Sequence, residues 1–184
     1  MPKPLNLYAN CTINLSGRQI NAVHFASLSD EEKILVYQWR TSPEIANMMR
    51  TQKFSMSEHL DFISGLKNKT SDFYWLVKDS EKALGVIYLN GIKDGGAELG
   101  IYAGAGIRGA GFTLMQTLYH LAFRELKLDT IRANVYADNT AARKLYERCG
   151  MTLEPGKKAD CADCDKGETC VYVINSAQTL RELK

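Results

Sequence analysis

The spacing of apolar and polar residues divides the chain into strands and helices. Residues 12–20 predict a short hairpin arm that turns at Ser16-Gly17, and loose alternation over Asn21–Ser27 predicts a first strand. Ser29 followed by Asp30, Glu31 and Glu32 reads as a helix entry, with a cap and acids in the first turn. That helix should run to about Arg40 and stop before Pro43, because the residue ahead of a proline avoids helical geometry. Pro43 can itself open a second helix, reaching Met49. A third helix carries Ser57, His59, Leu60, Phe62, Ile63 and Leu66, with His59 and Phe62 on one face and Leu60 and Ile63 on another.

Beyond residue 70 the period shortens to two. Phe73–Val77 and Leu84–Leu89 predict a hairpin across a Lys78–Lys82 turn, and Asp94-Gly95-Gly96 leads into a strand over Ala97–Ala103. Along that strand Glu98, Gly100 and Tyr102 point one way, and Leu99 and Ile101 the other. A helix follows with Met115, Leu118, Tyr119, Ala122 and Leu126 on one stripe. Thr130–Tyr136 is the next strand, its Ile131, Ala133 and Val135 facing the core. Asp138-Asn139-Thr140 caps a last main helix that aligns Ala142, Leu145, Tyr146 and Cys149 and ends at Gly150. Val171–Ile174 is a final strand paired with Met151–Leu153. This order gives an α+β domain, a mixed sheet with helices on both faces, over residues 21–176. An N-terminal arm (1–20) precedes it and a tail (177–184) follows, the tail being a frayed helix or a partner contact.

Composition narrows the setting. A chain of 184 residues with 45% hydrophobic and 24% charged residues has the length and balance of one soluble domain with a real core. A formal charge of +2 favours no polyanion, so nucleic acid is not an expected partner. No apolar run approaches membrane-spanning length, and the first residues lack a secretory pattern. Five cysteines without such a signal imply reduced thiols and a cytoplasmic protein. A homodimer is left open.

The chemistry concentrates between Glu98 and Met151. Glycines at 104, 106, 109 and 111 join a strand to a helix, so bare N–H groups, a helix N-terminus and the Arg108 guanidinium converge on one turn suited to phosphate. Arg108-Gly109-Ala110-Gly111-Phe112-Thr113 is similar to the Arg-x-x-Gly-x-(Gly/Ala) motif of the GNAT superfamily of acetyl-coenzyme-A-dependent N-acetyltransferases. It departs at the sixth position, where Thr113 stands for a small residue. Asn139, Ala142, Leu145-Tyr146, Gly150 and Met151 match that superfamily's second motif.

The resemblance implies acetyl-CoA as donor. Its pyrophosphate would be held at Arg108–Thr113 with help from Asn139 and Arg143, and its amide arm would lie beside backbone of Ile101 and Ala103. It also implies Tyr146 as general acid, since a phenol near pKa 10 can protonate a departing thiolate near 8.5. Glu98 is the candidate base, acting directly or through water; Asn134 cannot take a proton and would position water. A finer resemblance, from Ile20 to about Leu153, is to bacterial enzymes that acetylate the 4-amino group of a UDP-linked 4-amino-4,6-dideoxy sugar. These act in pseudaminic acid synthesis for flagellin glycosylation. It implies a nucleotide-sugar pocket containing Arg40, Met49, His59, Phe62 and Tyr102. The Trp39-Arg40-x-x-Pro43 element is shared with ribosomal-protein and polyamine acetyltransferases, and aminoglycosides are a further acceptor class. A non-catalytic coenzyme-A- or zinc-binding module is the alternative of another kind. Cys161-x-x-Cys164 with Cys170 supplies three thiols but needs a fourth ligand, with Cys149 or Cys11 the only thiols left, so no metal is expected.

Overall fold

The computed structural model describes residues 10–49, 53–155 and 169–182. Strand β1 (Cys11–Leu15) turns into β2 (Arg18–His24) through Ser16 and Gly17, whose φ values of 50° and 81° match a right-twisted hairpin. Within the stretch expected as an arm, Ile13 and Ile20 lie opposite each other and are buried, so β1 is the edge strand of the main sheet. The expected first strand is shifted. It starts at Arg18 and stops at His24, whose Nδ1 accepts the Ala26 N–H (3.2 Å) and turns Phe25–Ser27 into a 3₁₀ turn.

Helix α1 (Asp30–Thr41) opens with a capping box between Ser29 and Glu32, as the acidic first turn suggested. α2 (Pro43–Ala46) is a single turn, shorter than the expected run to Met49. α3 (Met56–Gly65) begins at a second capping box, Ser55 with Glu58. Its inward face is His59 and Ile63, four residues apart, while Leu60 is exposed. The expected pairing of Leu60 with Ile63 on one face therefore does not hold.

Then come β3 (Phe73–Asp79), β4 (Lys82–Lys93), β5 (Gly96–Ala103), α4 (Gly111–Tyr119), β6 (Thr130–Tyr136), α5 (Thr140–Arg148), β7 (Thr152–Leu153), β8 (Thr169–Asn175) and α6 (Ser176–Glu182). α4 continues into a π-helical segment over His120–Glu125, which the periodicity did not announce. The sheet order is β1-β2-β3-β4-β5-β6-β8-β7, and only the β5–β6 pair is parallel. This is the expected α+β architecture. One core gathers Trp75, Val77, Ile87 and Leu99 with Leu114, Met115 and Leu118 of α4. The other gathers Leu76 and Val86 with Val36 and Trp39 of α1 and Ile63 of α3. Period-two alternation divides β3 and β4 between them.

One irregularity positions the site. β5 and β6 pair from Gly96 opposite Thr130 to Leu99 opposite Ala133, and no further. Beyond that point β5 stays with β4 as far as Ala103 opposite Gly85, and β6 stays with β8 as far as Tyr136 opposite Thr169. The sheet splits into a wedge whose inner edges carry backbone groups that neither strand gives the other.

Candidate active site

The wedge opens into a cavity of about 510 Å³ lined by Leu99–Ala103, Asn134–Tyr136, Gly111, Asn139, Leu145 and Tyr146, among others. The turn that closes its outer end uses its glycines in two different ways. Gly106 and Gly109 take φ values of 76° and 77°, a backbone that glycine adopts without penalty. Gly104 and Gly111 are needed for room. A β-carbon on Gly104 would sit 2.5 Å from the Trp39 indole, and one on Gly111 would sit 2.9 Å from Leu145 Cδ2. α4 starts at Ala110 without a side-chain cap, so its leading N–H groups and positive dipole end are offered to a ligand.

Among the residues read from sequence as cofactor contacts, Ile101, Ala103, Gly111 and Asn139 line this cavity. Asn139 Oδ1 also caps α5 by accepting the Ala142 N–H at 3.1 Å. Arg108, Gly109 and Phe112 are exposed on the outer turn, and the Arg148 guanidinium lies 5.7 Å from the Phe112 ring centroid. Ala110 is buried beneath the turn, and the Thr113 carbonyl accepts the Thr117 hydroxyl at 2.8 Å. Arg143 faces elsewhere: Nη1 donates to the Ala137 carbonyl (2.9 Å) and Nε to the Tyr172 hydroxyl (3.3 Å). The second bond ties α5 to β8, and the first holds the turn between β6 and α5.

Glu98, Asn134 and Tyr146 meet at the vertex of the wedge. Asn134 Nδ2 donates to Glu98 Oε2 at 2.8 Å and fixes the carboxylate where the strands part. Tyr146 is 6% exposed. Burial, then the neighbouring Tyr88 and Glu98, push its pKa above the ordinary phenol value, so the hydroxyl keeps its proton at neutral pH.

A second cavity of about 310 Å³ adjoins the first and shares Arg40, Met49, Tyr88 and Tyr102 with it. His59 and Phe62 line it, so the five residues assigned to an acceptor pocket come together. His59 Nε2 lies 3.1 Å from the Lys33 carbonyl, which identifies Nε2 as the protonated nitrogen. Burial holds its pKa below the usual histidine range, partly offset by that bond, and keeps the ring neutral. Arg40 sits 5.5 Å from the Phe54 ring centroid. Sequence reading missed Phe54, Tyr74 and Tyr88 in these walls. Tyr74 and Tyr88 alternate with Phe73, Trp75, Ile87 and Leu89 of the other face, and their stacking (centroids 4.8 Å apart, 18° between planes) depends on strand register.

Comparison with known proteins fits this geometry. The family model described as Acetyltransferase (GNAT) domain matches residues 23–152, most of the chain. The chain belongs to the GNAT acetyltransferase family. Acetyltransferase PseH of Campylobacter jejuni subsp. jejuni serotype O:2 is 35% identical over 151 residues, which is 82% of this chain and 96% of that protein. The crystal structure of C. jejuni N-acetyltransferase PseH in complex with acetyl coenzyme A superposes with a TM-score of 0.67 at 29% identity, covering 85% of this chain and 98% of that one. The spermidine N-acetyltransferase of Vibrio cholerae in complex with CoA and spermine has a TM-score of 0.76 at 19% identity, covering 88% and 98%, a likeness of fold alone.

This GNAT chain is an N-acetyltransferase that uses acetyl-CoA. The uncapped α4 N-terminus and the unpaired strand edges of the wedge are the kind of groups that a pyrophosphate and an amide arm require. Among the described residues no cluster of His, Cys, Asp and Glu could hold a metal, and no helix is long and apolar enough to cross a membrane. Cys161 and Cys164 lie outside the described residues.

Proposed function

We propose that the protein transfers the acetyl group of acetyl-CoA to the 4-amino group of a UDP-linked 4-amino-4,6-dideoxy sugar, the reaction of pseudaminic acid synthesis that supplies flagellin glycosylation. The observation that carries this reading is the second cavity, an aromatic, largely apolar chamber with a half-buried arginine where it joins the wedge. Phe54, Phe62 and Tyr74 offer flat apolar surface to a nucleobase or deoxysugar methyl. Arg40 offers a fork of donors to a diphosphate. The 35% identity to PseH supports a place in pseudaminic acid synthesis.

The same walls argue against a polycation. A polyamine asks for several free carboxylates and no cation beside it. Among the described residues the second cavity has one carboxylate, Glu58, and its Oε2 already accepts the Ser55 N–H at 2.7 Å.

In this reading the amine enters from the second cavity and reaches the vertex. Glu98, oriented by Asn134, takes the ammonium proton directly or through water, and the neutral amine attacks the thioester carbonyl. N–H groups of β5 exposed by the wedge stabilise the oxyanion. As the carbon–sulfur bond breaks, Tyr146 gives its proton to the sulfur, and the phenolate recovers a proton from the attacking nitrogen, directly or through water, which leaves the neutral amide. A phenol at pKa 10 facing a thiol at 8.5 leaves a mismatch of about 2 kcal/mol. Burial raises the phenol above its ordinary value, which keeps the proton on Tyr146 until the thiolate develops beside it.

A thiol-release assay with four acceptors tests this function: the UDP-4-amino sugar, spermidine, an aminoglycoside and an N-terminal peptide of a ribosomal protein. The nucleotide sugar should lead in kcat/KM by at least about a hundredfold, the scale set by leaving buried polar groups unpaired in the others. A peptide or polyamine leading by that margin would overturn the acceptor assignment.

A further inference from the structure

We infer that Tyr88 is the partition between the donor and acceptor cavities and sets the length of the acyl group transferred. Tyr88 and Gly100 are directly opposite partners on β4 and β5. The phenol lies flat across Gly100: a β-carbon there would fall 1.8 Å from its Cζ and 2.2 Å from its hydroxyl oxygen. Only the bare backbone of a glycine lets the ring take this place. The ring is held from behind by its stack on Tyr74, which is braced edge-on by Phe62 with centroids 5.0 Å apart. Tyr88 thus forms wall on both cavities.

Gly100 is also the first residue of β5 beyond the last β6 pair, Leu99 opposite Ala133. An arm extended along Ile101 and Ala103 toward the vertex ends there, so its acyl carbon arrives at the edge of the Tyr88 ring that covers Gly100. An acetyl methyl stops short of the phenol, whereas each added methylene runs against it and has to displace it. Discrimination of one methylene by a packed apolar wall is ordinarily 10- to 200-fold. The inference rests on the wedge cavity being the donor site.

The test is a donor series of acetyl-, propionyl- and butyryl-CoA, read as donor Kd by calorimetry and as kcat/KM with one fixed acceptor. Tyr88→Ala should raise the propionyl-to-acetyl ratio at least about tenfold in both readouts. Tyr88→Phe keeps the ring and should keep the wild-type ratio, and Tyr88→Leu carries the test if the alanine variant does not fold. An unchanged ratio in the truncated variant, or an equal shift in Tyr88→Phe, would overturn the partition. Gly111→Val, which crowds the wedge cavity where Gly111 meets Leu145, tests the donor site by itself. Undiminished acetyl-CoA affinity there would remove the donor site itself. Weakened affinity there, with no change of ratio at Tyr88, would remove the partition alone.

Discussion

Tyr146 carries the sharpest consequence at the scale of a single residue. Its hydroxyl is buried and protonated, so Tyr146→Phe removes a proton donor and little volume. Loss of a positioned acid costs about 10²–10⁴ in rate, and kcat should fall by that much while acetyl-CoA Kd stays within about twofold. Turnover at the wild-type rate would end the acid role. His24 gives a stability prediction. It is fully buried, its Nδ1 accepts the Ala26 N–H, and burial lowers its pKa to about 4. Between pH 6.5 and 4 the unfolded chain binds this proton more readily than the folded one, so stability is full above pH 6.5 and falls as pH drops. The loss approaches about 3 kcal/mol below pH 4. His24→Asn keeps an acceptor for Ala26 without a titrating group. Urea midpoints followed from pH 7 to 4.5 should fall less steeply for that variant, and identical slopes would refute the assignment.

At the scale of elements, the glycine turn joins both halves of the site. Gly104→Ala adds a methyl against the Trp39 ring with no change of backbone requirement, since its φ is not positive. Overpacking of this kind costs about 1–3 kcal/mol. The variant should lose several degrees of Tm and bind acetyl-CoA more weakly, because the turn moves outward; calorimetry and donor titration check both. Unchanged values would show that Trp39 yields freely. The turn also shows which parts of the structure were legible in the sequence. Strand β6, the Asn139 cap and the Ser29 helix entry rest on local signals, and they appear where those signals lie. The separate tasks of the glycines were not readable, because Trp39 and Leu145 approach from elements remote in sequence. The same limit hid Tyr88, whose role depends on standing opposite Gly100. The bonds of Arg143 to the Ala137 carbonyl and the Tyr172 hydroxyl were likewise not readable, because the partner on β8 is remote in sequence.

For the whole molecule, one departure from sheet regularity organises the rest. The β5–β6 split places a strand-edge cavity between two cores, and the proposed function has the donor entering along the sheet and the acceptor from the α1–α3 face. Arg40, Met49, Tyr88 and Tyr102 belong to both cavities, and Glu98, Asn134 and Tyr146 stand at the vertex. Direct transfer there requires both substrates to be present together, with no acetylated protein between. The most direct test is the initial-rate pattern of thiol release with acetyl-CoA varied at several fixed concentrations of the UDP-4-amino sugar. Intersecting double-reciprocal lines, saturable in both substrates, are the expected result; parallel lines, or no saturation by the nucleotide sugar, would contradict the account.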